Sequence, residues 1–235
     1  MIKKWKNEIF LKCEAVILDM DGVLVNSEPI HVESFKLFLK NLNLSYTEEF
    51  LHGLVGHSID NNIESINQQY LKDNPLDIAE GIRLRDALYL EMITQRPLKA
   101  IEGIETLVRL CQEKNIRLGL ASSSVRKQVD TILNNLTENS PERIDYRTIF
   151  EVTVSGDDVP HKKPAADIYQ RALMLLDVKA DYCLSIEDSY AGIMSAKASG
   201  LFCIALKNQF LGIEEMKIAD YVVDSINDVV NLIRD

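Results

Sequence analysis

At 235 residues the chain is long enough for one large domain or two modest ones, and 46% apolar residues support a full core without disulfide or metal staples. Its 26 Lys and Arg stand against 36 Asp and Glu, a formal charge of −10 that argues against a general nucleic-acid or anionic-membrane binder. No apolar run approaches the length of a membrane span, and Glu8, Lys12 and Glu14 interrupt the stretch where a secretion signal would lie, so a cytoplasmic location is expected.

The stretch "AVILDMDGVLVNSE" (15–28) is the first informative one. Ala15–Leu18 is a continuous apolar run with β-branched members, the pattern of a strand covered on both faces, and Asp19 and Asp21 follow at its carboxyl end. Residues 29 to about 95 read as almost wholly helical. Val32, Phe35, Leu37, Phe38 and Leu39 recur near the helical period, "IDNNIESINQQYL" and "IAEGIRLRDALYLEMI" continue in that style, and Pro75 separates the two. From about residue 100 the rhythm is alternation. Helix "GIETLVRLCQEKN" is followed by strand "IRLGLASSS", helix "VRKQVDTILNNL" and a polar loop at 137–146. Strand "FEVTVSGDD", helix "PAADIYQRALMLL", strand "DYCLSIEDS" and helix "YAGIMSAKASG" come next. Strands "LFCIAL" and "DYVVDS" and a helix at 225–234 close the series.

Strands alternating with helices predict an α/β fold, a Rossmann-like, doubly wound parallel sheet covered on both faces. The helical block then interrupts a core that its first strand already belongs to. The expected domains are a core of residues 1–28 and 97–235 and an inserted helical cap of residues 29–96. Cys13, Cys111, Cys183 and Cys203 lack metal-type spacing and read as free thiols of a reducing compartment.

Open parallel sheets bind ligands at the carboxyl ends of their strands, so the residues at those ends carry the functional information. The first strand offers Asp19 and Asp21, which extended geometry directs to one side and which repel each other unless a cation intervenes. "IRLGLA" ends in Ser122, Ser123 and Ser124; the strand at 151–155 leads to Lys162 and Lys163; "YCLSI" ends in Glu187, Asp188 and Ser189. Singly, each has a plain reading: an acid pair in a loop, serines as helix caps, acids favouring a helix N-terminus. Together, four acids, a lysine and a hydroxyl on one rim suit a divalent cation of the Mg²⁺ type and a phosphoryl group. Gly22 is read as serving a tight turn, and Gly192 and Gly200 as close packing or a C-cap.

These stretches resemble the haloacid dehalogenase superfamily of phosphohydrolases, in its β-phosphoglucomutase-like branch. "DMDGVLVNSE", "ASSS", "KKPAADIY" and "SIEDSYAGIMSAKASG" are similar to its four motifs, in order, across residues 14–206. The resemblance implies Asp19 as nucleophile forming an aspartyl-phosphate and Asp21 as general acid and base. It implies Mg²⁺ held by the Asp19 carboxylate, the Asp21 backbone carbonyl, Glu187 and Asp188. Ser122 and Lys163 would hold phosphoryl oxygens, with Ser123 a further phosphate-binding candidate, although Ser123 and Ser124 also suit a cap. Lys163 is preferred to Lys162 because it directly precedes the proline.

In relatives the loop corresponding to "LVGHSIDNNI" (54–63) faces the active site, which makes His57 a candidate substrate contact. Mutases of this branch carry there an Arg that grips the distal phosphate; this chain has Ile59. Arg83 or Arg85 would be substitutes, although a solvated helix face is the plainer reading of both. His31 matches a His of the mutases, and Asn26 and Ser27 replace the commoner acidic-hydroxyl pair at the hinge. The resemblance therefore implies a phosphatase of a small phosphorylated metabolite, a sugar phosphate by family expectation, with a phosphomutase as the alternative. A receiver-like phospho-acceptor of signalling is the alternative of another class; it lacks an inserted cap and carries its phospho-acceptor on a later strand. The chain is expected to be a monomer without nucleic-acid or membrane partners.

Overall fold

Every side chain of strand β1 (Ala15–Leu18) is buried, as its apolar run requires. It pairs in parallel with β2 (Arg117–Ala121) on one side and β4 (Cys183–Glu187) on the other; Ile17 faces Gly119 and Ser185 in register. Strands β3 (Val152–Val154), β5 (Phe202–Leu206) and β6 (Tyr221–Val223) complete a six-stranded parallel sheet of order β3-β2-β1-β4-β5-β6. This is the doubly wound arrangement, and the order reverses at β1, so the carboxyl ends of β1, β2 and β4 border the switch point. The computed structural model describes residues 12–54, 58–208 and 212–234.

The chain divides into two compact units, one of the residues up to Asn26 and from Leu98 on, the other of Ser27–Pro97. In the second, helices α1 (Glu28–Asn41), α2 (Glu48–His52), α3 (Ile59–Tyr70) and α4 (Ile78–Gln95) surround Phe35, Phe38, Leu39, Leu51, Ile63 and Ile66. Buried Asn67 clamps the loop before α4, donating to the Leu76 carbonyl at 2.8 Å and accepting from the Leu76 N–H at 2.9 Å.

In the first unit helices cover the sheet. Helix α5 (Ile104–Glu113) packs on β2 and on α10 (Ile226–Arg234), which follows β6 and a short helix α9 (Ile213–Met216). Helix α6 (Arg126–Glu138) runs two residues into the stretch expected to be loop. Helices α7 (Asp167–Leu176) and α8 (Tyr190–Ala198) seal one sheet face, where Ile168, Tyr169, Ala172, Leu176, Ile193 and Ala196 meet Ala15, Ile17, Ala121 and Cys203. All four cysteines are free. Burial pushes the Cys13, Cys111 and Cys203 thiols up to about 12, which suppresses the reactive thiolate. Among the described residues, no helix is long and apolar enough to cross a membrane.

Ile17 carries the packing that aims Asp19, two residues on. Ile17→Ala is expected to lower stability by about 2–5 kcal/mol. A urea titration checks this, with the midpoint falling and the slope unchanged.

Candidate active site

Asp19 leaves β1 with its N–H donating to the Ile186 carbonyl at 3.0 Å, so sheet pairing continues into the site. The chain then turns: the Gly22 N–H donates to the Val25 carbonyl at 2.8 Å, and the Leu24 N–H to the Met20 carbonyl at 2.9 Å. Gly22 has φ +84°, the left-handed region, and a Cβ there would overlap the Asp188 carboxylate. One glycine thus supplies both the turn and the room for an acid from β4. Gly192, within α8 (Tyr190–Ala198), makes room in turn for Glu187, whose carboxylate occupies the space of the missing Cβ. Ser189 caps α8, its hydroxyl accepting from the Gly192 N–H at 3.0 Å.

Asp19, Glu187 and Asp188 each present a carboxylate oxygen, the three within 4.8 Å of one another. Lys163 enters this acidic group from the loop after β3. Its ammonium donates to Asp19 Oδ1, to Glu187 Oε1 at 2.5 Å and to the Ala121 carbonyl at 2.9 Å. An ammonium has three N–H bonds, and all three are in use. The loop is held by α8, where the Ser195 hydroxyl donates to the Ala165 carbonyl at 2.5 Å and the Ser199 hydroxyl to the Ala166 carbonyl at 3.0 Å.

Burial pushes the Asp19 carboxyl up to about 7; the Lys163 charge opposes the rise, and Glu187 and Asp21 add to it. Asp188 is raised well above the carboxylate range, by burial first and then by Asp19 and Glu187. Burial pulls the other way on Lys163, but Asp19 and Glu187 outweigh it and keep the ammonium charged. One fixed cation faces the buried carboxylates of Asp19 and Glu187 and the half-buried one of Asp188. The donor set is all hard oxygen, and its excess negative charge fits a divalent cation of the Mg²⁺ kind.

Asp21 stands apart from this trio, its Oδ2 accepting from the Ser124 hydroxyl at 3.0 Å. Ser122 is buried, and its oxygen accepts from the Ser124 N–H at 3.1 Å, which leaves its own hydroxyl proton to be directed elsewhere. Ser123 is half-buried, with its carbonyl against Gly156. The cap reading of Ser123 and Ser124 fails: the N-cap of α6 is Val125, without a side-chain cap bond, and Ser124 serves Asp21 instead. Lys162 is exposed.

Three polar residues that support the site escape the sequence reading. The Tyr169 hydroxyl donates to Glu187 Oε1 at 2.6 Å, and its ring centroid lies 5.0 Å from the Lys163 nitrogen. The Asn208 amide donates to the Asp188 carbonyl at 2.6 Å and to Asp188 Oδ2 at 3.1 Å. Ser195, with its hold on the Lys163 loop, is the third. Tyr169 and Ser195 lie at helical spacing among apolar core residues, and Asn208 lies beyond a strand end outside any motif. Tyr169 closes the stretch "KKPAADIY" and Ser195 lies within "SIEDSYAGIMSAKASG", but neither is given a task there.

His57 lies outside the described residues. Within the helical unit, exposed Arg83 pairs with Glu80 at 2.6 Å. Arg85 departs from the solvated-face reading. It is buried, bonded to Asp86 at 2.9 Å and to His31 Nδ1, with its guanidinium 4.8 Å from the Phe35 ring and 5.0 Å from the Tyr89 ring. His31 stacks on Tyr89 at 4.0 Å. Ile59 packs against the apolar core of this unit.

The haloacid dehalogenase-like hydrolase family matches residues 16–206. A phosphorylated carbohydrates phosphatase of Thermotoga maritima is 27% identical over 190 residues, 80% of this chain and 82% of that protein. A β-phosphoglucomutase of Bacillus subtilis is 28% identical over 220 residues, 92% of this chain and 91% of that one. A crystal structure of a CbbY variant from Rhodobacter sphaeroides with xylulose-1,5-bisphosphate superimposes with a TM-score of 0.77 at 28% identity, over 91% of this chain and 95% of the other.

Gly22→Ala is expected to cost about 1–2 kcal/mol through the left-handed backbone alone. Displacement of the Asp188 carboxylate adds to this. Urea unfolding measures the first effect, and Mg²⁺ titration by calorimetry, falling in affinity, reads the second.

Proposed function

The chain belongs to the haloacid dehalogenase-like hydrolase family, in its β-phosphoglucomutase-like branch, and on that premise we propose a Mg²⁺-dependent phosphatase that hydrolyses a small phosphorylated metabolite of the sugar-phosphate class through an aspartyl-phosphate. The observation that carries this reading is the convergence of Asp19, Asp21, Ser122, Lys163, Glu187 and Asp188 at the ends of β1, β2 and β4 and on the loop after β3.

Each residue has a task set by its surroundings. Lys163 holds Asp19 Oδ1 and so fixes the direction of the second oxygen, the attacking atom toward phosphorus. Ser122 directs its hydroxyl proton at a phosphoryl oxygen, and Lys163 shifts one of its three bonds to another. Asp21, oriented by Ser124, gives its proton to the oxygen of the leaving alcohol. It then takes a proton from the water that attacks the aspartyl-phosphate and frees Asp19. Asp19, Glu187 and Asp188 would hold Mg²⁺, with the Asp21 backbone carbonyl completing the protein ligands. When bound, the cation neutralises charge on the phosphoryl oxygens during in-line transfer.

A phosphatase is favoured over a phosphomutase because a mutase must hold a bisphosphate by both ends. Ile59 stands where the mutases carry an Arg and is spent on core packing. Arg83 and Arg85 are engaged within the helical unit, with Glu80 and with Asp86 and His31. The phosphatase named for Thermotoga maritima supports the same choice, and the bisphosphate seen with CbbY adds ketose bisphosphates to the substrates worth testing.

Phosphate release is to be measured over a panel of sugar phosphates, including β-glucose 1-phosphate and xylulose 1,5-bisphosphate, with Mg²⁺ and with EDTA. Release that needs Mg²⁺ and falls to background in Asp19→Asn is expected. Asp21→Asn should lower kcat by about 10²–10⁴-fold, the usual worth of a general acid–base. Conversion of β-glucose 1-phosphate to glucose 6-phosphate without free phosphate would replace this reading with the mutase.

A further inference from the structure

Lys163 faces a conflict of demand. Its three N–H bonds go to Asp19, Glu187 and the Ala121 carbonyl, so a phosphoryl oxygen gains a bond from this ammonium only if one acceptor loses it. Asp19 is the wrong bond to lose, since it orients the nucleophile. The Ala121 carbonyl is a buried backbone group at the end of β2, and its bond from Lys163 seats the ammonium against the sheet. Glu187 is different. The oxygen that accepts from Lys163, Oε1, also accepts from the Tyr169 hydroxyl at 2.6 Å.

Glu187 is fully buried, with its second oxygen against Gly192 and 3.4 Å from the Ser189 hydroxyl. A cation held by Glu187 would engage one carboxylate oxygen, and the other, buried and left without a donor, would carry its full desolvation penalty. Two donors on Oε1 mean that one can leave without stranding the charge. The phenol cannot follow Lys163, because Tyr169 is buried in the first turn of α7 between Ile168 and Ala172 of the core. Its ring remains beside the ammonium throughout, with the centroid 5.0 Å from Nζ.

We infer that Tyr169 is the positioning residue that keeps Glu187 satisfied while Lys163 turns from Glu187 to a phosphoryl oxygen. The inference rests on the phosphatase reading and deepens it. Tyr169 touches neither substrate nor the reacting atoms. It acts through Glu187 on how readily Lys163 is released.

Tyr169→Phe removes the hydroxyl and keeps the ring, and calorimetric titration with inorganic phosphate in saturating Mg²⁺ reads the effect apart from turnover. Phosphate is expected to bind about tenfold more weakly to the variant, the worth of one hydrogen bond to a charged group. The unfolding midpoint of the unliganded protein should move far less, because Lys163 still satisfies Oε1 there. Tyr169→Leu, which also removes the ring, should weaken phosphate binding at least as much.

Equal phosphate affinity in wild type and Tyr169→Phe would overturn the role given to Tyr169 and leave the phosphatase intact. A large fall in unfolding midpoint with unchanged affinity would also overturn it, making the hydroxyl a purely structural donor. A wild type that binds no phosphate at all would overturn both readings together.

Discussion

The gathering of buried Asp19 and Glu187 and half-buried Asp188 beside a single lysine is the constraint on which the rest of the structure depends. Like charges within 4.8 Å of one another and largely removed from water tend to protonate or to draw in a cation. The fold answers with the Lys163 ammonium, with neutral donors fixed to separate acids, and with a charge deficit that a divalent ion fits. Tyr169 serves Glu187 and Asn208 serves Asp188. Each donor pins one carboxylate, so the group resists collapse into a random set of ion pairs.

Such a group can stand only where backbone from several strands comes close without side chains filling the space. The switch point of the sheet supplies that place: β2 and β4 both border β1, and the two connections leave in opposite directions. Gly22 and Gly192 finish the fit by giving carboxylates the volume a Cβ would occupy. The helices behind the sheet are part of the same device, since α8 anchors the Lys163 loop through Ser195 and Ser199 and α7 carries Tyr169. Core packing and charge placement are therefore one problem. An error in the seat of α7 or α8 would be felt first at the lysine.

Legibility in the sequence followed the same division. The sheet was legible because a strand covered on both faces must be apolar throughout, and "AVIL" and "CLSI" show that plainly. The acids were legible because charge directly behind such a run is expensive unless it has a use. Tyr169 was hidden by its own amphipathic nature: a ring on the core face of α7 has the signature of packing whether or not its hydroxyl has a task. Asn208 reaches Asp188 and Ser195 reaches Ala165, and a partner far away in sequence leaves no local pattern. Arg85 misled in the opposite sense, because a cation on an amphipathic helix predicts water, yet two rings, a His and Asp86 make burial tolerable.

Arg85 also bears on how function diverges on this fold. A guanidinium that grips a distal phosphate must keep donors directed outward, whereas this one lies between aromatic rings with donors on His31 and Asp86. Its charge stabilises the helical unit from within. Ile59, where the resemblance expects a gripping arginine, packs against the apolar core of the helical unit. Ile59→Arg alone would therefore not create a mutase, since the same change withdraws an apolar contact from the core of that unit. At the rim of the sheet many residues constrain one another around the acids and Lys163, whereas the residues of the helical unit answer first to their own packing.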